Sequence, residues 1–443
     1  MKKTLLALLI LVLVQSAPAD LHLRACAGEP DSEDVAIPAP STAAQKLYLA
    51  AREDLLQVRV LLKNGRSQVS VGSGFLIGRT HWVITNYHVV SQVALEPETY
   101  VAEFVDTHGE RGPVALMAVD ALRDLALVRI SRKGGGFFTV PEKPPDLKQG
   151  QYLYSLGNPL DLGFAISEGA YNGIIKRGFY EQLMFTGPIN AGMSGGPSVT
   201  VDGRLAGVNV SKRLDGELVS FLIPVSYVKE LLKSVSDGNQ PPADFKDVVG
   251  GQLLVYQAVM VDRLMGAPLG LKEMGPYRVP VRESDQMRCW GRSDTRPDKT
   301  YAQDHMTCSM ESSLYVSDQL RTGWMSMHHT FRRSTQLGAL RFATMAGSAF
   351  KGQIFGYHKD RNLTGNVCAE QFVHNGHLSM RAVICVRAYR KFSGLYDFTA
   401  LAVSTDESLM NLQSRLDIKG VSYENGMKVS RLFLESIRRE EKP

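Results

Sequence analysis

Three side chains in the first half of the chain can be read together as acyl-transfer chemistry. The stretch "INAGMSGGPS", Ile189 to Ser198, sets Ser194 among three glycines and a proline. Glycine is used where backbone must turn tightly or come close to something else. "TNYHVV" supplies His88, and "RDLALVRI" supplies Asp124. A serine hydroxyl becomes a nucleophile when an imidazole takes its proton and a carboxylate fixes the imidazole tautomer. Backbone N–H groups must also point at the oxyanion that forms. Each stretch alone has a plainer reading: a half-buried strand histidine, an ordinary strand start, a flexible turn. Their ordered occurrence, His then Asp then Ser within one β-rich span, favours the chemical reading.

Those residues need a scaffold. From Leu55 to about Val225 short apolar runs alternate with turn signals, among them "LQVRVLL", "SVGSGFLI", "HWVITNYHVV", "LALVRI", "YLYSLG", "LMFTG" and "LAGVNV". This pattern predicts an all-β barrel or sandwich. It places His88 at the end of a strand and Asp124 just before one. "TAAQKLYLAARED" predicts a short helix with Leu47 and Ala50 on one side. "PVSYVKELLKSV" predicts another, with Ser226 as N-cap and Val228, Leu231 and Leu232 on one face. "SDGNQPPADF" has Gly, Asn and two prolines without periodicity and reads as a linker.

With 443 residues there is chain enough for two or three domains. Hydrophobic content of 44% and charged content of 21% fit a globular protein with a sizeable core. The net charge of +5 comes without a dense Lys/Arg stripe, which argues against a nucleic-acid partner. The closing "RLFLESIRREEKP" alternates sign and reads as a solvated helix end.

"MKKTLLALLILVLVQSAPAD" joins Lys2 and Lys3 to an apolar run from Leu5 to Val14 and then to Ala17-Pro18-Ala19. That is the pattern of a cleaved secretory signal peptide, residues 1–19. The run is shorter than the roughly 20 residues a membrane span needs. The expected location is the periplasm or the exterior. Cys26 raises a lipid anchor as the minority reading, although Arg24 interrupts the expected small-residue context.

Taken in order, "GSGFLI", "VITNYHVV", "RDLALVRI", "YSLGNPLDLGFAISEGAYNGI", "INAGMSGGP", "RLAGVNV" and "SFLIPVSYVKELL" resemble the trypsin-like double-barrel fold. They are similar in particular to the HtrA (high-temperature-requirement) type of serine protease, from about residue 45 to 235. The resemblance implies Ser194 as nucleophile, His88 as general base and then acid, and Asp124 as the group that orients His88. It implies an oxyanion hole over Gly192, Met193 and Ser194, built on the N–H groups of Gly192 and Ser194. It also implies a substrate pocket near Ile189, Asn190 and Val210, without an Asp near Pro188 to bind a basic side chain. Small or medium aliphatic residues in extended chains are then the expected substrates. Met193 departs from the pattern, because HtrA-type relatives usually carry asparagine there. The expectation is a loop less tethered by side-chain hydrogen bonds, and therefore more mobile.

The expected division is a lead-in over 20–44, a protease domain over 45–236, a linker over 237–245 and an accessory domain over 246–443. HtrA-type proteins commonly carry PDZ domains after the protease, but no Gly-Φ-Gly carboxylate-binding loop stands before a strand here. The accessory region reads as α+β. "GALRFATMAGSAFKGQIFGYH", "LSMRAVICVRAYRKF" and "LYDFTALAVS" look like strands, and "MKVSRLFLESIRRE" a closing helix with Val429, Leu432, Phe433 and Ile437 on one side. Cys289, Cys308, Cys368 and Cys385 have three ways to pair, of which the sequential one is simplest. A four-cysteine zinc site is the rival, but no C-x-x-C knuckle is present. His328, His329, His358, His374 and His377 show no defensible metal-ligand spacing.

The expected function is a serine endopeptidase that acts on exported polypeptides, in envelope quality control or processing, without a cofactor. The alternative is a protease-like scaffold or binding protein with weak or conditional activity. Expected partners are unfolded or extended polypeptides, a homo-oligomer, and proteins docking on 246–443.

Overall fold

A computed structural model describes residues 41–212, 219–235, 240–296, 298–351 and 360–440. The leader, Cys26 and His358 lie outside them. The described residues from Thr42 onward form one compact unit.

Helix α1 (Thr42–Ala51) leads in. It buries Leu47 and Ala51, while Ala50 faces outward. The first closed barrel runs in the order β1 (Leu55–Leu62), β2 (Gln68–Leu76), β3 (Trp82–Thr85), β6 (Leu125–Arg129), β5 (Arg111–Asp120) and β4 (Tyr100–Asp106). Helix α2 (Tyr87–Leu95) follows β3 directly. The second closed barrel runs β10 (Pro197–Val199), β11 (Leu205–Lys212), β12 (Ser220–Pro224), β9 (Gln182–Thr186), β8 (Ala165–Ile175) and β7 (Tyr152–Gly157). Two antiparallel six-stranded barrels are the trypsin-like double barrel that the family resemblance implies; the apolar runs by themselves predict only a barrel or sandwich. Helix α3 (Val225–Lys233) closes this half. Ser226 lies inside it rather than at its cap, because Pro224 already occupies the position before the first turn.

Helix α4 (Phe245–Met265) opens the accessory region, and the Asp244 carboxylate caps it by accepting from the Lys246 amide. A small sheet joins β13 (Gly270–Met274), β14 (Tyr277–Val281) and β24 (Arg438–Arg439). The main sheet has seven strands, in the order β15 (Met287–Asp294), β16 (Tyr301–Met310), β19 (Trp324–Ser334), β23 (Met410–Val421), β22 (Tyr396–Ser404), β21 (Leu378–Ala388) and β20 (Val367–Asn375). A separate hairpin pairs β17 (Leu314–Ser317) with β18 (Leu320–Thr322). The fold here is α+β, as expected.

Three local readings are corrected. Residues 339–351 form helix α5 rather than a strand. Phe342, Ala346 and Phe350 are buried four residues apart, a helical period, and the alanine-rich stretch supports it. The closing helix α6 is Tyr423–Glu435, and Arg438 and Arg439 pair with β14 instead of extending it. Ser422 caps α6 through its hydroxyl, and Ile437 is buried beyond the helix end. His88 stands in the first turn of α2, not at a strand end.

Disulfides join Cys289 to Cys308 and Cys368 to Cys385, the sequential pairing. Each links residues directly opposite on adjacent strands, β15–β16 and β20–β21. They therefore staple both edges of the seven-stranded sheet, where strands lack a second neighbour. With the thiols bonded in pairs, four cysteine ligands for zinc are not on offer.

The accessory region has a small apolar cluster of its own, Phe350, Val383, Cys385 and Leu401, but its main core is shared with the first barrel. One apolar cluster runs from Leu56, Val58 and Val90 of the first barrel and α2, through Val249, Leu253 and Met260 of α4, to Leu416 and Phe433. Gln252 of α4 adds polar stitches to the barrel, accepting from the Ala121 amide and donating to the Val119 carbonyl.

Candidate active site

Asp124 sits at the end of the β5–β6 connection with φ of 57°, a left-handed conformation that turns the chain sharply into β6. Its carboxylate faces the first turn of α2. One oxygen accepts the His88 amide at 2.8 Å, and the other lies 2.6 Å from His88 Nδ1. Asn86, just before α2, donates to the Asp124 carbonyl at 2.8 Å. The two segments are thus locked by backbone and side chain together. A carboxylate at a helix N-terminus also meets the favourable end of the helix dipole. Burial pushes the His88 imidazolium down, but Asp124, with help from Asp318, outweighs it and raises its pKa above the usual histidine value.

The other face of His88 is closed by the accessory region. Tyr315 of β17 meets the imidazole edge-to-face, with centroids 5.8 Å apart. The Tyr87 hydroxyl donates to the Val316 carbonyl, and Gln92 donates to Asp318. Tyr315 donates in turn to Asp318 at 2.5 Å, and Arg321 stacks over its ring. The hairpin β17–β18 therefore grips α2 along the face that carries His88. Nothing in the sequence around residues 312–322 announces this, since the contacts span more than two hundred residues.

Ser194 lies in the loop before β10, pressed against β2. Its carbonyl accepts the Ser73 amide at 2.7 Å, and Ser73 Oγ donates to the Gly192 carbonyl. A Cβ on Gly195 would lie 2.2 Å from the Ser73 carbonyl oxygen and 2.5 Å from Thr85 Oγ1, so only glycine fits. That packing brings the serine loop against Thr85 and Asn86, the residues leading into α2. Gly192 has φ of 91°, and a Cβ there would strike the Asn158 carbonyl oxygen at 2.3 Å. Among the described residues, the amides of Gly192 and Ser194 have no acceptor in the protein. They are the two donors expected of an oxyanion hole. The Ser194 hydroxyl donates to the Val210 carbonyl at 3.2 Å, and no hydrogen bond joins it to His88 in this conformation.

Met193 is enclosed in the protein rather than left exposed in the loop. It is 2% exposed and packs with Ile189, Leu153, Phe185 and Leu222 in the core of the second barrel. Its amide donates to the Asn190 carbonyl, and its own carbonyl accepts from Gly196 and from Asn209. Burial replaces the side-chain hydrogen bonds that an asparagine would supply. Of the expected pocket residues, Ile189 is turned into this core, while Asn190 and Val210 present backbone carbonyls to the loop and to Ser194.

Asn209 was missed by sequence reasoning. Fully buried, it donates to the Leu156 and Met193 carbonyls and accepts from Ser155 and Ser198. All four of its hydrogen-bonding positions are used, so it fixes the serine loop on its strands. Its signal was a lone amide in the apolar run "LAGVNV".

A closed double barrel with such a seam is the architecture of trypsin-like peptidases, and residues 72–208 match the family model of the trypsin-like peptidase domain. The chain is similar to HtrA-type serine proteases. It is 31% identical over 185 residues to the mitochondrial serine protease HTRA2 of Drosophila ananassae, covering 40% of this chain and 42% of that protein. It is 32% identical over 176 residues to the Drosophila pseudoobscura pseudoobscura protein of the same name, covering 38% and 40%. The chain thus spans about two-fifths of the length of these curated relatives. Its fold also aligns with the serine endoprotease from Yersinia pestis at 22% identity and a TM-score of 0.36, covering 44% of this chain and 66% of that one.

Proposed function

We propose that the chain is a serine endopeptidase in which His88, Asp124 and Ser194 act as a triad. The observation that carries this reading is the Asp124 carboxylate, which engages both the His88 amide and Nδ1. With Nδ1 held as the protonated nitrogen, Nε2 is left as the base. Rotation of the Ser194 hydroxyl from the Val210 carbonyl toward Nε2 then completes the relay. Such side-chain rotations are fast, on the order of picoseconds to nanoseconds where the group is not packed.

Attack by Ser194 Oγ on a peptide carbonyl transfers its proton to His88. The raised His88 pKa suits an imidazolium that must form and persist beside Asp124. The amides of Gly192 and Ser194 receive the oxyanion, each such donor stabilising the transition state by about 3 kcal/mol in a comparable protease. His88 next protonates the leaving amine, and water repeats the sequence on the acyl-enzyme.

The resting bond from Ser194 to Val210 favours one qualification of this reading: activity conditional on substrate or partner. The signal-like leader and the two disulfides support action on exported polypeptides in an oxidising compartment. N-terminal sequencing of exported protein is then expected to begin at Asp20.

A fluorophosphonate probe tests the triad, because it reacts only where serine, base and oxyanion donors are aligned. The parent is expected to label and Ser194→Ala to stay dark. Labelling of both would overturn the assignment. Labelling of the parent only when unfolded protein is added would establish conditional activity.

A further inference from the structure

The main sheet of the accessory region carries a polar concavity of about 460 Å³ on one face, remote in sequence from the triad. It is assembled across three strands. Register sets His305 of β16 beside Thr330 of β19, and Thr330 beside Gln413 of β23. The next row sets Thr307, His328 and Arg415 side by side. An antiparallel sheet with one solvated face is ordinarily polar on that side. That plain reading does not fit here, because Arg332 is 6% exposed, Gln413 2% and Asp417 9%.

The charges on this face are unbalanced. Arg415 is held by Asp417 in a two-point pair, at 2.6 and 2.9 Å, and Thr399 donates to the same carboxylate. Arg332 has no such partner. Among the described residues, its recorded hydrogen bond runs from Nη1 to the Gln413 amide oxygen at 3.1 Å, and no carboxylate lies within ion-pair distance. That bond fixes the orientation of the Gln413 amide, and its Nε2 is buried without an acceptor. His305 turns Nδ1 to the Thr330 hydroxyl at 3.0 Å. Burial, then Arg332 and Arg292, press the His305 pKa below its usual value, so it is neutral near pH 7. A buried guanidinium is held almost uncompensated beside an unmatched amide donor. Burying an unpaired charge is costly, and buried charges are ordinarily paired, so this guanidinium lacks the partner expected of it.

We propose that this concavity binds a carboxylate-bearing ligand, whose carboxylate pairs with Arg332 and accepts from Gln413 Nε2. Among the residues lining the concavity, Arg332 and Arg415 against Asp417 leave one net positive charge, which matches a monoanion better than a doubly charged phosphate. The planar guanidinium fork also matches a carboxylate in geometry. The site goes beyond the protease reading and does not depend on it.

The full mature chain tests this by titration with acetate, N-acetyl-Ala-Ala, N-acetyl-Ala-Ala amide and inorganic phosphate. The readouts are the His305 and His328 imidazole resonances, assigned with His305→Gln, and thermal stabilisation. Saturable shifts are expected with both carboxylates and not with the amide. Arg332→Gln is expected to abolish them, and Arg332→Lys, which keeps the charge but loses the fork, to weaken binding about tenfold. The lysine variant keeps the test valid if Arg332→Gln folds poorly. Equal binding of acetate and the dipeptide would point to a free small carboxylate, and much tighter binding of the dipeptide to a polypeptide C-terminus. Tighter binding of phosphate, equal binding of the amide, or unchanged binding in both Arg332 variants would overturn the proposal.

Discussion

Two histidines, one in each half of the molecule, behave in opposite ways. His88 in the double barrel faces the Asp124 carboxylate, and its pKa is raised. His329 in the accessory sheet is fully enclosed, stacked on Phe433, with Nδ1 beside the Ser414 hydroxyl and Nε2 on the Pro280 carbonyl. Burial pushes its pKa down to about 4. The same imidazole is a proton acceptor in waiting where a carboxylate stands behind it, and an inert neutral wedge where only a hydroxyl and a carbonyl do. The barrel sets its histidine against a carboxylate, whereas the core of the accessory sheet encloses its histidine among neutral groups.

The largest test of that contrast removes the nucleophile. Ser194→Ala is expected to lower peptide turnover by roughly a millionfold, the scale seen when such a triad loses its serine, with thermal unfolding unchanged. A substantial residual rate would place the chemistry elsewhere. In the other half, replacing Cys289 and Cys308 by alanine is expected to destabilise the fold by about 3 kcal/mol in urea titration. Because apolar core runs through α4, this loss is expected to reach the barrel as well, so probes in both halves should report one transition. Two separated transitions would instead show that the halves melt independently.

His329 predicts a pH dependence of stability. Its folded pKa of about 4 lies below the ordinary value of 6.5. As pH falls through 6.5 the unfolded chain takes up a proton that the folded chain refuses down to about 4. Stability present above that window is therefore lost within it, by about 3 kcal/mol if this group acts alone. A parent profile no steeper than that of His329→Gln between those limits would remove the claim.

Smaller effects are expected around His88. Tyr315→Ala should reduce the rate of fluorophosphonate labelling roughly tenfold by loosening the imidazole, and Tyr315→Phe should stay near the parent because the ring contact survives. Equal rates for all three would make the hairpin a bystander. Asp318→Asn removes a charge that raises the His88 pKa. The acid limb of kcat/KM should then move to lower pH, by less than about one unit for a charge at this distance. A shift in the opposite direction would contradict the geometry.

The barrel was legible because its functional residues lie in short local motifs. "GMSGG" states a glycine-bounded loop, and "TNYHVV" and "DLALV" state the segments that flank the seam. What was misread there was local, with His88 opening a helix rather than ending a strand. The accessory region resisted because its features are lateral. Gln303, His305, Thr307 and Ser309 alternate as polar residues, and so do Ser326, His328, Thr330 and Arg332, so the polar face was visible strand by strand. Which residue stands beside which depends on register, and no short motif encodes that. Helix α5, read as a strand, has its buried positions Phe342, Ala346 and Phe350 at a period of four, which is helical.

The grip of β17–β18 on α2 has a consequence for the order of events during synthesis. The barrel strands and the three residues proposed as a triad are complete in the chain by residue 224. The tyrosine that closes the far side of His88, and the carbonyl that accepts from Tyr87, arrive only with residues 315 and 316. A nascent chain therefore carries a complete double barrel for about ninety residues, from 224 to 315, before the imidazole is fully seated. At a synthesis rate of about 5–20 residues per second, that is an interval of several seconds. On the triad reading, the seating of His88 by the hairpin coincides with the arrival of the second half of the protein.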